Sequence, residues 1–203
     1  MARAIDTVVF DIGNVLLEWD PRHLYRKVFA DAGDMERFLG SVCTSDWNRQ
    51  QDAGRSWREA ESELIARFPD QEPHIRAFRA RWREMVPGAI DGTVRLKDEL
   101  KAAGVPLYAI TNFAADTFAE ARARFAFLND FRGIIVSGSE RILKPDLAIY
   151  RLLASRYDLD LTRAVFIDDS AANCEGARKA GMAAIHFTAP GALHQELAAL
   201  GLI

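Results

Sequence analysis

Five short apolar runs stand out along the chain: Thr7–Phe10, Pro106–Ile110, Gly133–Val136, Ala164–Ile167 and Ala183–Phe187. Each is rich in Val, Ile or Phe and bounded by polar or turn residues. That pattern predicts strands buried on both faces of a parallel sheet. Between most of them the apolar period becomes helical. One helix is predicted to start with Asp91 as N-cap and to stop at Gly104. Another runs from about Pro145 to Tyr157, with Ile149, Leu152 and Leu153 on one face. A third follows Ser170 and ends at Gly181, and the last covers Ala192–Leu200. Strands alternating with helices predict the α/β class, here a doubly wound, parallel five-stranded sheet.

The gap between the first two strands, residues 11 to 105, is far longer than the dozen or so residues a crossover needs. Residues 20–86 within it are helix-patterned throughout. Asp20-Pro21 opens one helix, with Leu24, Tyr25 and Val28 apolar. Asp34 can cap a second that carries Met35, Phe38, Leu39 and Val42. Ser56-Trp57-Arg58-Glu59 is a capping box leading a helix that Pro69 stops. Ile75, Phe78, Trp82 and Met85 follow at helical spacing. This predicts a small helical cap, residues 20–86, inserted into a core of residues 1–19 and 87–203, with Pro87-Gly88 marking the return. Trp57 and Trp82 are expected to pack in the cap's interior. The polar stretch from Trp47 to Arg55 is expected to surround a turn and to read the substrate, with Arg49 as a binding residue.

Composition narrows the function classes. The chain has 203 residues, 49% of them hydrophobic and 27% charged, ordinary for a globular protein. A formal net charge of −3 offers little to a phosphate backbone, so no nucleic-acid partner is expected. The basic cluster Arg76, Arg79, Arg81 and Arg83 reads as a solvated helix face. Cys43 and Cys174 form neither a disulfide framework nor a metal-ligand pair. No apolar leader opens the chain, and no run approaches the ~20 residues of a membrane helix. The expectation is a cytoplasmic protein, monomeric or weakly dimeric, acting on a small molecule.

In an open parallel sheet, ligands bind beyond the carboxyl ends of the strands. The first strand ends in Asp11-Ile12-Gly13-Asn14, the second in Thr111-Asn112, and the fourth in Asp168-Asp169-Ser170. Lys144-Pro145 follows the third. Three carboxylates at one edge repel one another and call for a cation. An all-oxygen site with few protein ligands suits magnesium. A cation and Lys144 together can neutralise a transferring phosphoryl group. Thr111 and a nearby backbone N–H can hold phosphate oxygens, and Asp11 can attack phosphorus. Any one of these residues alone could be a helix cap or a surface side chain; their order at successive strand ends carries the argument.

These stretches resemble the four motifs of the haloacid dehalogenase superfamily: Val8-Val9-Phe10-Asp11-Ile12-Gly13-Asn14-Val15, Ile110-Thr111-Asn112, Lys144-Pro145 and Ile167-Asp168-Asp169-Ser170-Ala171-Ala172-Asn173. The resemblance implies a sheet with the first strand between the second and fourth. It implies Asp11 as nucleophile and metal ligand, and the Gly13 carbonyl and Asp169 as further Mg2+ ligands. Asp168 would act through water. Thr111 and Asn112 would bind phosphate, Lys144 would stabilise charge, and Asn173 would orient the metal shell or Lys144. The substrate implied is a small phosphorylated metabolite.

One position departs from the family pattern. Typical phosphatases of the family carry a second Asp, the general acid, two residues after the nucleophile; here that residue is Gly13. The Asp-x-Gly-Asn pattern resembles a branch that includes sugar-phosphate phosphatases. Asp52 and Glu18 are candidate substitutes, but neither is fixed by the motif, so the expectation is that no group replaces the acid. Two other readings stand beside the phosphatase. A haloacid dehalogenase would use Asp11 on carbon without metal, although Asp168 and Asp169 then have no cation to hold. A non-catalytic phospho-ligand binder would explain Gly13 but not the intact Asp11, Thr111, Lys144 and Asp169.

Overall fold

A computed structural model describes residues 4–203. Five parallel strands form one sheet: β1 (Thr7–Phe10), β2 (Leu107–Thr111), β3 (Gly133–Val136), β4 (Ala164–Asp168) and β5 (Ala183–His186). Their order is β3-β2-β1-β4-β5. The chain reverses direction across the sheet at β1, so the crevice between β2, β1 and β4 is the switch point where ligands bind. Pro106 has no N–H to give a ladder, so β2 starts at Leu107 and runs on to Thr111, which pairs with Val136.

Strand side chains alternate between two cores. Val8 and Phe10 of β1, with Leu107, Ala109, Val165 and Ile167, face one apolar cluster. Val9, with Tyr108, Ile110, Ala164 and Phe166, faces the other.

Eleven α-helices are formed among the described residues. In the insert these are α1 (Arg22–Tyr25), α2 (Ala32–Ser41), α3 (Ser45–Asp52), α4 (Trp57–Arg67) and α5 (Glu72–Ala80). The rest are α6 (Asp91–Ala102), α7 (Ala115–Arg124), α8 (Ser137–Glu140), α9 (Leu147–Tyr157), α10 (Ala171–Lys179) and α11 (Pro190–Ala199). Leu96, Leu100, Leu193 and Leu197 of α6 and α11 join the first cluster, which extends into the insert through Tyr25, Phe38, Trp47 and Phe78. Ile149, Tyr150, Leu153 and Ala177 of α9 and α10 fill the second. The sheet is thus covered on both faces.

Several local expectations are corrected. Asp31, not Asp34, caps α2; its Oδ1 accepts from the Asp34 N–H at 2.9 Å, which makes Asp34 the third helical residue. Asp91 lies in the first turn of α6 rather than capping it, and Ile90 precedes it with no side-chain cap. Trp82–Met85 is a separate 3₁₀ turn, broken from α5 at Arg81. The Ser56 cap stands: its Oγ accepts from the Glu59 N–H at 3.3 Å and donates to Glu59 Oε2 at 2.7 Å. The stretch expected around a turn is helical as far as Asp52, in α3 capped by Thr44, and its turn is confined to Ala53-Gly54.

The insert leaves and re-enters the core side by side. The Glu18 N–H donates to the Gly88 carbonyl at 3.1 Å, and the Ile90 N–H to the Leu16 carbonyl at 2.8 Å. The arginine cluster is paired rather than free. Arg79 and Arg83 bond Glu120 of α7, at 2.7 and 3.1 Å. Arg76 bonds Glu72, and Arg81 bonds Glu84. No helix among the described residues is long and apolar enough to cross a membrane.

Candidate active site

Asp11 immediately follows β1. Its backbone N–H donates to the Ile167 carbonyl of β4 at 2.8 Å, which fixes the residue between the strands. Its Oδ1 accepts from the Ile12 N–H at 2.7 Å and pairs with Lys144 Nζ at 2.8 Å. Both bonds fall on one oxygen, which leaves Oδ2 for other chemistry.

Lys144 is buried and has a second carboxylate partner, Asp168 Oδ2, at 2.7 Å. Asp168 is saturated: Oδ1 also accepts from the Ser170 N–H at 2.8 Å, and Asn173 Nδ2 lies 3.0 and 3.1 Å from its two oxygens. Asn173 therefore orients Asp168, and through it Lys144. Burial, and then the charge of Asp168, hold the Asp11 carboxyl above its ordinary range, against the pull of Lys144. Burial alone would drive the proton off Lys144; Asp11 and Asp168 outweigh it and keep the ammonium charged.

One carboxylate oxygen from each of Asp11, Asp168 and Asp169 lies within 4.8 Å of the others. Asp169 is the most exposed of the three, yet partial desolvation by the surrounding protein, and then the charge of Asp168, raise its carboxyl. Three hard oxygen donors with raised or crowded carboxyls fit a small divalent cation, since its charge would relieve the repulsion. The saturation of Asp168 makes Asp11 and Asp169 the better direct donors.

Thr111 ends β2, which pairs with β1, the strand that leads into Asp11. Its hydroxyl Oγ1 is buried and has no hydrogen-bond partner among the described residues. A buried hydroxyl without a partner is costly unless a ligand supplies one. The Asn112 side chain turns to Lys144. Its side-chain amide donates to the Lys144 carbonyl at 3.1 Å and accepts from the Lys144 N–H at 2.8 Å. That reciprocal pair commits the side chain to placing Lys144, so any bond from Asn112 to phosphate must come from its backbone.

A cavity of about 220 Å³ meets the site at Gly13 and Asn112, without being lined by Asp11, Thr111 or Lys144; its other walls are Asn14, Trp19, Ser45, Asn48, Asp52, Trp57, Trp82, Phe113 and Thr117. A larger cleft of about 640 Å³ adjoins it within the insert and shares Asn14, Trp19, Ser45 and Asn48. Arg49 lines neither and is exposed. Helical phase explains this: Ser45, Asn48 and Asp52, at i, i+3 and i+7, share one face of α3, and Arg49 falls off it. Trp57 is half-buried and packs against Trp47 and Phe78 of the insert. Trp82 is buried but meets Phe113 of the core edge-on rather than the insert's interior, and both wall the cavity. Asn14 belongs to the first motif and shapes the loop after β1. It holds a left-handed backbone, φ 54°, and its Oδ1 accepts from the Trp19 N–H at 3.0 Å.

The fold, the strand-end carboxylates and the buried lysine define a hydrolase class. The chain belongs to the haloacid dehalogenase-like hydrolases, whose family model matches residues 5–181. It is 28% identical over 190 residues to the sesquiterpene phosphatase astK of Aspergillus oryzae, covering 93% of this chain and 92% of that protein. It is 27% identical over 214 residues to protein CbbY of Cereibacter sphaeroides, covering 96% and 89%. Its fold is shared by a HAD family enzyme of Bacteroides thetaiotaomicron, solved with magnesium and inorganic phosphate. That match has a TM-score of 0.66, 19% identity, and 91% and 95% of the two chains covered. The L-2-haloacid dehalogenase of Xanthobacter autotrophicus, solved with chloropropionic acid covalently bound, matches with a TM-score of 0.64, 17% identity, and 96% and 83% coverage.

Proposed function

We propose that this hydrolase is a magnesium-dependent phosphatase that cleaves a small phosphorylated metabolite through an aspartyl-phosphate on Asp11. The observation that carries this reading is the unpartnered buried hydroxyl of Thr111, at the end of the strand that pairs with β1, together with the Asp11–Lys144 ion pair that follows β1. A phosphoryl oxygen supplies the partner that the hydroxyl lacks. The sesquiterpene phosphatase and the neighbour solved with magnesium and phosphate support the same chemistry.

In this reading Asp11, the Gly13 carbonyl and Asp169 would hold Mg2+, and Asp168 would act through water. The cation supplies neutralisation of phosphoryl charge. Asp11 Oδ2 attacks phosphorus, while Lys144 favours the ionised form of Asp11 and offsets the developing charge. Thr111 and the Asn112 backbone hold phosphoryl oxygens. Residues 20–86 act as a cap that shuts bulk solvent out of the site and admits the water that hydrolyses the aspartyl-phosphate. The leaving group sits in the smaller cavity, whose aromatic walls, Trp19, Trp57, Trp82 and Phe113, suit an apolar or ring-shaped face, a sugar ring included.

The test is hydrolysis of an aryl phosphate with and without chelator, for wild type and Asp11→Asn. The expected outcome is magnesium-dependent turnover that falls at least about 10³-fold in the variant, since the covalent route is removed. Full-rate hydrolysis after chelation, or a variant above a tenth of wild type, would falsify the assignment. Metal-independent halide release from 2-haloacids would establish the dehalogenase instead.

A further inference from the structure

Residue 13 has no side chain, and a Cβ at that position would meet nothing within 4 Å. The cavity beside this gap is largely aromatic and amide in character. Asp52 is the one ionisable residue among those lining it.

Asp52 is fixed there by the core. Ser137 Oγ donates to the Asp52 carbonyl at 2.6 Å and accepts from the Phe113 N–H at 2.9 Å, which ties the end of α3 to the loop after β2. Two glycines permit that approach. Gly54 holds φ +95°, and a Cβ on it would lie 2.9 Å from the Gly138 carbonyl oxygen. A Cβ on Gly138 would lie 2.7 Å from the Phe113 oxygen. Asn48 Nδ2 donates to Asp52 Oδ2 at 3.1 Å and sets the carboxyl's orientation. Glu18, the other candidate, is exposed and lines the larger cleft.

We propose that Asp52, supplied by the helical insert, is the catalytic residue that protonates the leaving oxygen. The inference rests on the phosphatase reading. Asp11 Oδ2 forms its bond to phosphorus as the bond from phosphorus to the leaving oxygen breaks. The Asp52 proton passes to that oxygen, and a neutral alcohol departs. The Asp52 carboxylate then takes a proton from water as the water oxygen attacks the aspartyl-phosphate. Phosphate leaves, Asp11 is again a carboxylate and Asp52 is again protonated. Burial in the cavity, opposed by the Ala114 backbone, pushes the Asp52 carboxyl up to about 7, the range suited to a general acid near neutral pH. This revises the expectation that no group replaces the missing acid.

The experiment measures kcat/KM of the full chain with Mg2+ across aryl and alkyl phosphates of graded leaving-group basicity, for wild type and Asp52→Asn. An aryl oxide leaves without help, whereas an alkoxide needs a proton. We expect Asp52→Asn to lose about 10²-fold or more on alkyl phosphates and under about tenfold on aryl ones. The dependence on leaving-group pKa should be shallow in wild type and steep in the variant. A steep dependence in wild type, or equal losses on both ester types, would overturn the proposal and leave the phosphatase reading intact. Wild type inert toward every ester would overturn both.

Discussion

At the residue scale the site is a charge arrangement around one buried ammonium. Lys144 sits within 2.8 Å of two carboxylates that belong to different strands. Removing one partner of a buried ion pair leaves an uncompensated charge and typically costs about 3–5 kcal/mol. Lys144→Met keeps most of the side chain's volume, so lost packing adds little. The expected outcome is destabilisation of that size at pH 7.5 in denaturant unfolding. Asp168→Asn placed on the Lys144→Met background should recover part of it, because the repulsion between the two carboxylates is then gone. If Lys144→Met unfolds within about 1 kcal/mol of wild type, the ion pair has no structural role and the lysine serves chemistry alone. The motif residues were legible because their types are rare in combination at successive strand ends. The unpartnered Thr111 hydroxyl and the commitment of the Asn112 amide to Lys144 were not, since both depend on side-chain direction.

At the element scale, all five strands were legible because strands buried on both faces are written as unbroken apolar runs. Their ends moved by one residue at most: Pro106 could not donate, Thr111 and Asp168 still had partners, and β5 stopped at His186 rather than Phe187. Helix α3 was not legible as a helix. Its sequence, Ser45 to Asp52, has one large apolar residue, Trp47. The face it turns toward the site borders a cavity rather than a core, so no hydrophobic period marks it. Thr44 as N-cap was the available signal. The same face makes a stability prediction. Burial raises the folded-state pKa of Asp52 to about 7 from an ordinary value near 3.8. A carboxyl raised in this way stabilises the fold below its unfolded pKa. That contribution is lost as pH climbs from about 4 through 7. Asparagine does not titrate, and no other ionisable side chain lines the cavity. The Tm of Asp52→Asn minus that of wild type should therefore become more positive between pH 4.5 and 7.5. A difference that stays flat across that range would place Asp52 in solvent and remove the basis for its raised pKa.

At the scale of the whole molecule, the site is assembled from distant parts of the chain. Asp11 and Gly13 come from the first strand's end and Asp169 from the fourth's, while α3 approaches from the insert. The insert is tied to α7 by Arg79 and Arg83 on Glu120, by Arg79 on Asp116, and by Trp57 Nε1 on Asp116 at 3.0 Å. Arg124 Nη1 and Nη2 in turn bond the Val86 and Pro87 carbonyls at 2.7 and 2.9 Å. An unfolded chain cannot present residues 11 and 169 to one ion. Under the proposed ligation, Mg2+ therefore binds the folded state alone and stabilises it by mass action, about 2.7 kcal/mol at a hundredfold excess over Kd. For a domain of this size that corresponds to a rise in Tm of roughly 5–10 °C. The measurement is thermal unfolding against MgCl2, with NaCl at matched ionic strength as control. Tm should climb with the logarithm of Mg2+ concentration and stay level with Na+. Asp169→Asn, which keeps the side chain's shape but loses its charge, should flatten the response. A Tm indifferent to Mg2+ in the tens of millimolar, or an equal rise in Asp169→Asn, would show that the three carboxylates hold no structural cation, whatever the enzyme's activity requires.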